Sequence, residues 1–180
     1  MAGENLNYVK ENMLKSLETL IVKSPNSKVA IVTFDSLSFY YGDGTSDKQP
    51  AITKTAFEKE NPSLKDQIDA LGTVSASYNS LKTLIESLTP NGGTNISNAL
   101  AHCALLGAAC KNAEVILCTD GATHDSDEIY FNNIALFAKA HSTRIHIVRL
   151  ALSDLNLEKF ACLQRETGGE FCLNTGIPHF

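Results

Sequence analysis

The segment Glu114-Val-Ile-Leu-Cys-Thr-Asp-Gly121 is apolar from Val115 through Cys118, lacks the polar alternation of a half-exposed strand, and stops at Asp120-Gly121. Such a run reads as a strand covered on both faces, which is the habit of strands in helix-flanked parallel sheets. Working outward, the same unit recurs. Lys28-Val-Ala-Ile-Val-Thr-Phe34 is a second β-branched run, expected in the same kind of parallel sheet, Thr143 to Leu150 is a third, and Glu170 to Asn174 is the last. Helical patterns separate them: Asn95 to Cys110, rich in Ala and Leu, about Ser126 to Ala140, and Asp154 to Thr167, stopped by Gly168-Gly169. This alternation predicts an α/β domain with a mainly parallel sheet, right-handed crossovers and helices on both faces.

The first part of the chain is less regular. Leu6, Val9, Met13, Leu14, Leu17, Leu20 and Ile21 recur at helical spacing, so Glu4 to Val22 reads as an amphipathic helix broken at Pro25. Ser38 to Tyr41 reads as a short edge strand and the turn-rich stretch Gly42 to Pro50 as a mobile surface insertion. Weak helical signals at Ser63 to Leu71 and Tyr78 to Leu88 lead to the loop Thr89-Pro-Asn-Gly-Gly-Thr94. A length of 180 residues suits one domain, 1–180.

Charge and composition exclude several classes of function. Fifteen basic against twenty acidic residues leave a net charge of −5, the opposite of a nucleic-acid footprint. No apolar run approaches the roughly 18 residues of a membrane span, and the first residues lack the basic and apolar regions of a secretory signal, so a cytoplasmic location is expected. The five cysteines form no CxxC pair and read as buried thiols. Neither a GK[ST] phosphate loop nor a GxSxG elbow is present, which points away from an enzyme. An α/β hydrolase-type enzyme stays the competing class, because a sheet of this kind hosts many activities.

Ligands of such sheets bind beyond the carboxyl ends of the strands, which selects Asp35-Ser36, Thr94 and Thr119-Asp120-Gly121. The oxygens of Thr94 and Asp120 suit a hard cation such as Mg2+. Plainer roles compete: Thr94 could cap a helix beginning at Asn95, and Asp120 could close an Asx turn. His102 and His146 read as structural, and His124 with Asp125, Asp127 and Glu128 as charge at a helix start.

Three segments carry a family resemblance. Val29-Ala-Ile-Val-Thr-Phe-Asp-Ser36, Pro90-Asn-Gly-Gly-Thr-Asn-Ile96 and Ile116-Leu-Cys-Thr-Asp-Gly121 are similar to the second strand, the threonine loop and the aspartate loop of the von Willebrand factor A (VWFA) domain. Ile145-His-Ile-Val148, Leu157-Glu-Lys-Phe160 and Glu166-Thr-Gly-Gly-Glu-Phe171 extend the resemblance through its last strands. It implies a three-layer Rossmann-like fold and a protein-interaction module whose metal-ion-dependent adhesion site (MIDAS) holds Mg2+. Thr94 and Asp120 would be the metal ligands, and Ser36, Asn91, Gly92, Gly93, Asn95, Gly121, Thr123 and His124 the partner-binding rim. The partner would be another protein offering an acidic side chain. The family's first central strand, ending in DxSxS, has no counterpart here; Asp35-Ser-Leu-Ser38 places Leu37 where a motif serine belongs. That strand would lie between the ones at Lys28 and Glu114, so its absence implies weak Mg2+ binding, a metal-independent scaffold as the alternative, and self-association through the unfilled position.

Overall fold

The computed structural model describes residues 3–120, 128–150 and 158–173. They form a mixed α/β fold with a small parallel sheet. Helix α1 spans Gly3–Lys23, and its apolar stripe buries Val9 and Leu17. Strand β1 (Ile31–Phe34) pairs antiparallel with β2 (Ser38–Gly42), and β2 pairs with the two-residue β3 (Gln49–Pro50). Two short helices, α2 (Lys54–Lys59) and α3 (Lys65–Ala70), and the longer α4 (Val74–Ser87) follow. Helix α5 (Ile96–Ala108) leads to β4 (Glu114–Thr119), then α6 (Glu128–Ala140), β5 (Arg144–Arg149), α7 (Glu158–Thr167) and β6 (Phe171–Leu173). Strands β4, β5 and β6 run parallel in that order.

Helices cover the parallel sheet from two sides. Leu117, Ile145 and Ile147 point into a cluster with Ile96, Leu100 and Ala104 of α5, Phe131 and Ile134 of α6, and Phe160 and Leu163 of α7. Phe131 and Phe160 are fully buried with ring centroids 5.2 Å apart. Each such side chain contributes about 1.5–3 kcal/mol by leaving water, and this cluster is the main core. On the other face Cys118, Val148 and Cys172 meet Tyr8, Val9 and Met13 of α1. The carboxyl half of α1 packs elsewhere, Leu17 meeting Ile31 of β1 and Val74, Leu81 and Ile85 of α4.

Among the described residues the strands form two separate three-stranded sheets, β1-β2-β3 and β4-β5-β6, with no ladder between β1 and β4. Helix α5 nevertheless packs on β1, β2 and β4 alike. The expectation of a parallel partner for the Lys28 run is corrected: β1 pairs with β2, and the connection Asp35-Ser-Leu37 is far too short for the crossover that a parallel neighbour demands. Nor is the 38–41 strand an edge, since β2 lies between β1 and β3.

The turn-rich stretch 42–50 is tied down. The Asp43 carboxylate, 3% exposed, accepts from Thr45 N–H (3.1 Å), Thr45 Oγ1 (2.6 Å), Gly72 N–H (2.8 Å) and Ser77 Oγ (2.7 Å). Burial alone would raise its pKa, but those bonds to the ionised form prevail and hold it below the ordinary carboxylate value. His146, buried on β5, meets Glu114 Oε2 through Nε2 at 2.7 Å, while its Nδ1 accepts the Glu170 N–H at 3.0 Å. The second bond assigns the ring proton to Nε2, so this histidine joins β4, β5 and the start of β6. No helix among the described residues is long and apolar enough to cross a membrane.

Candidate functional site

The first selected position, Asp35-Ser36, closes on itself and then on a distant loop. Asp35 N–H donates to the Leu37 carbonyl at 2.8 Å, and Leu37 N–H donates to Asp35 Oδ1 at 2.7 Å. Asp35 Oδ2 takes the Asn91 amide at 2.8 Å, and its carbonyl takes Asn95 N–H at 2.6 Å. Ser36 donates twice to the Gly92 carbonyl, from its N–H at 3.0 Å and its hydroxyl at 2.8 Å, and the Ser38 hydroxyl donates to the Asn95 carbonyl at 2.8 Å. Two loops more than fifty residues apart are thereby one unit.

Gly93 makes that approach feasible. It has φ +87°, and a Cβ there would fall 2.8 Å from both the Ser36 nitrogen and Cα, closer than real carbons approach. Helix α5 begins one residue later than the sequence pattern suggests: Asn95 is the N-cap, accepting from Asn98 N–H at 3.4 Å, and Thr94 is not. Both residue types cap well, and the Asp35 carbonyl on the Asn95 N–H decides between them.

Of the residues singled out, Ser36, Asn91, Gly92, Gly93 and Asn95 are brought together, with Ser36, Asn91, Gly92 and Gly93 exposed. Thr94 follows in the same loop, half-buried. Asp120 is half-buried just after β4, a strand that does not pair with β1. Gly121, Thr123 and His124 lie outside the described residues. Asp35 was selected by its place after a strand, but not as the anchor it is, and Leu37 was not selected as a contact. Asp35 is the anchor of the loop pair, and Leu37, 62% exposed, is the apolar residue held at its tip. A short acidic side chain two residues before an N–H it can accept is the sequence signal for such a turn.

The donor set can be tested against a divalent cation. Among the described residues no group of three or more His, Cys, Asp or Glu side chains is arranged to hold a metal. Thr94 has one hydroxyl oxygen and Asp120 a carboxylate, and both carboxylate oxygens of Asp35 already accept, from Leu37 and Asn91. Mg2+ takes six oxygens in near-octahedral geometry, several of them water, so Thr94 and Asp120 would be at most part of its shell.

The thiols give no nucleophile. All five cysteines are free and half-buried, rather than fully buried as their apolar surroundings suggest. Burial pushes the Cys118 thiol, one residue before the end of β4, up to about 12, and Cys103 likewise to about 12, away from the thiolate that covalent catalysis uses.

Comparison with known proteins adds distant likenesses. No protein-family model matches the chain. It is 23% identical over 184 residues to Circularly permutated Ras protein 1 of Dictyostelium discoideum, an alignment covering 93% of this chain and 22% of that relative. Its fold is similar to the D319A mutant of the PilB minor pilin from Streptococcus sanguinis, with a TM-score of 0.51 and 12% identity, covering 93% of this chain and 49% of that one. The chain thus spans about a fifth of the length of the first and about half of the second.

Proposed function

We propose that the chain is a VWFA-like domain of the three-layer Rossmann type, with no counterpart of the family's first central strand among the described residues, and that it works as a protein-interaction module inside the cell rather than as an enzyme. The interruption supports the fold reading: the family's first strand would lie between the strands at Lys28 and Glu114, and β1 and β4 are where one sheet stops and the next starts. The observation that carries the function is the strapped loop pair. Asp35, Asn91 and Asn95 hold Ser36, Leu37, Gly92 and Gly93 in a fixed, exposed arrangement at the amino end of α5. Preorganised loops on a rigid scaffold are the usual carriers of recognition.

The partner is a protein that sets an acidic side chain against the amino end of α5, where the helix dipole favours negative charge, with Leu37 as the apolar contact beside it. The contact proposed is made without a metal, with Thr94, in the same loop, as a polar contributor, and a Mg2+ bridge through Thr94 and Asp120 is the alternative that capture in EDTA separates from it.

A photo-reactive side chain introduced at Ser36 or Asn91 is expected to capture a discrete partner in the source cell, whereas one at Lys111, at the opposite end of β4, does not. Capture should persist in EDTA. Capture lost in EDTA and restored by Mg2+ would replace the metal-free contact with a MIDAS-type bridge. No capture from either rim position, or equal capture from Lys111, would overturn the interaction reading.

A further inference from the structure

Two glycines follow Asn91, and the fold accounts for one of them. Gly93 has φ +87°, and a Cβ there would strike the Ser36 backbone. Gly92 has no such reason. It is exposed, its φ lies outside the left-handed region, and a Cβ built on it meets nothing within 4 Å. Packing and backbone conformation would both admit an alanine at 92. What a glycine supplies there is an unhindered main-chain nitrogen directly after an asparagine.

Asn91-Gly92 is the only Asn-Gly step in the sequence, and both residues are exposed in the loop between α4 and α5. The Asn91 amide has one orientation, because two bonds agree on it: Nδ2 donates to Asp35 Oδ2 at 2.8 Å, and Oδ1 accepts the Gly92 N–H at 3.1 Å. The side chain is thus folded back over its own peptide bond, with the Gly92 nitrogen beside Oδ1 and Cγ the next atom along. A turn of the amide about Cβ–Cγ presents the face of that carbon to the nitrogen, and reacting groups held so close need no search to meet. Other asparagines are placed differently. Asn79, Asn98, Asn132 and Asn133 lie within helices, whose N–H groups are bonded along the helix, and Asn61 precedes Pro62, which has no N–H.

We propose that Asn91-Gly92 is a self-modification site, and that its deamidation unlatches the two loops. The Gly92 nitrogen attacks Asn91 Cγ. The N–Cγ bond forms, the Cγ–Nδ2 bond breaks, and the proton from the Gly92 nitrogen departs with Nδ2 as ammonia. Water then opens the cyclic imide at either carbonyl, leaving aspartate or isoaspartate at position 91. Nothing is oxidised or reduced, and water is the only co-reactant.

Asp35 makes the change consequential. An aspartate at position 91 sets a carboxylate against Asp35 Oδ2 where an amide had donated, so a hydrogen bond gives way to repulsion between like charges. Isoaspartate lengthens the main chain by one atom before Gly92, which carries the Gly92 carbonyl away from the Ser36 N–H and hydroxyl that both bond it. Either product adds a negative charge to the rim. As regulation of the acidic contact proposed above, this rests on that reading, since the new charge repels the partner. As chemistry it needs no partner and stands alone.

The test is peptide mapping by mass spectrometry of the folded 180-residue chain held at mildly alkaline pH. Asn91 is expected to gain about one dalton before Asn98 or Asn132 does, as a mixture of the two products, and Gly92→Ala, with an unchanged urea midpoint, should slow the gain by about tenfold or more. Amide exchange gives the second readout. In Asn91→Asp the Ser36 amide should exchange about tenfold faster than in the parent, as expected for one lost hydrogen bond, while the Ala109 amide, bonded to Leu105 at the far end of α5, is unchanged. The proposal is overturned if Asn91 outlasts Asn98 or Asn132, or if Gly92→Ala reacts as fast as the parent. It is equally overturned if Gly92→Ala lowers the urea midpoint, which makes that glycine structural, or if the Ser36 amide of Asn91→Asp keeps the parent's protection.

Discussion

The Ser36 backbone passes so close to Gly93 that its nitrogen and Cα would each lie 2.8 Å from a Cβ on Gly93, a residue already at φ +87°. Gly93→Ala therefore combines two penalties, about 1–2 kcal/mol for a left-handed conformation and about 1–3 kcal/mol for overpacking against backbone. A loss of about 2–4 kcal/mol in urea unfolding is expected, with the Ser36 amide losing its exchange protection. A variant within 0.5 kcal/mol of the parent would show that the two loops are not held in contact.

Replacing the neighbouring cap separates two threonine and asparagine roles. Asn95→Ala removes the acceptor for Asn98 N–H and should lower stability by about 1 kcal/mol. Thr94→Ala leaves the cap in place and should lower it by less than half as much. The reverse order in parallel chemical denaturations would return the capping role to Thr94.

The sequence pattern located β4, β5 and α5 to within two residues, because their apolar runs are continuous and their ends are marked by turn residues, although β4 is not covered on both faces as its run suggests, Ile116 being 37% exposed. It failed where distant contacts decide. Nothing near Gly42 to Pro50 announces that Asp43 will meet Gly72 and Ser77, about thirty residues on, so a pinned segment reads as a loose one. The six-residue α2 is too short to show a period, and its cap Thr53 is the only local sign of it. At the loop surface, Ser36 and the Asn91 to Asn95 stretch were legible from their place after a strand and before a helix. The role of Asp35 was not, since its partners Asn91 and Asn95 lie more than fifty residues away.

Asp43 makes that segment sensitive to acid. Its folded pKa is lowered, because hydrogen bonds from Thr45, Ser77 and Gly72 outweigh burial, so its contribution is fully present above the unfolded carboxylate value of about 3.9. The contribution disappears as pH falls through the lower folded value. Asp43→Asn presents a donor to donors that need an acceptor, and should destabilise by about 1–3 kcal/mol at pH 7. The parent and the variant should converge in stability between pH 4 and about 2, measured by guanidinium unfolding. Parallel curves across that range would refute the assignment.

His102 acts in a higher window. It is fully buried in α5, its Nδ1 accepts Ile52 N–H at 3.1 Å, and its ring lies 4.9 Å from that of Tyr40. Burial disfavours the imidazolium and lowers the pKa from 6.5 to about 4, and protonation at Nδ1 would also break the bond to Ile52. The unfolded chain therefore binds a proton at a higher pH than the folded one. Stability from the neutral ring is complete above about 6.5, falls as the pH is lowered, and is exhausted near 4, a change of about 3 kcal/mol. His102→Asn keeps an acceptor for Ile52 but has no proton to gain. It should therefore be less stable than the parent at pH 7.5, through lost packing on Tyr40, and yet show a flatter stability profile between pH 6.5 and 4. Chemical denaturation at half-unit pH intervals reads the two slopes directly, and equal slopes would mean that His102 does not set the acid limb in this range.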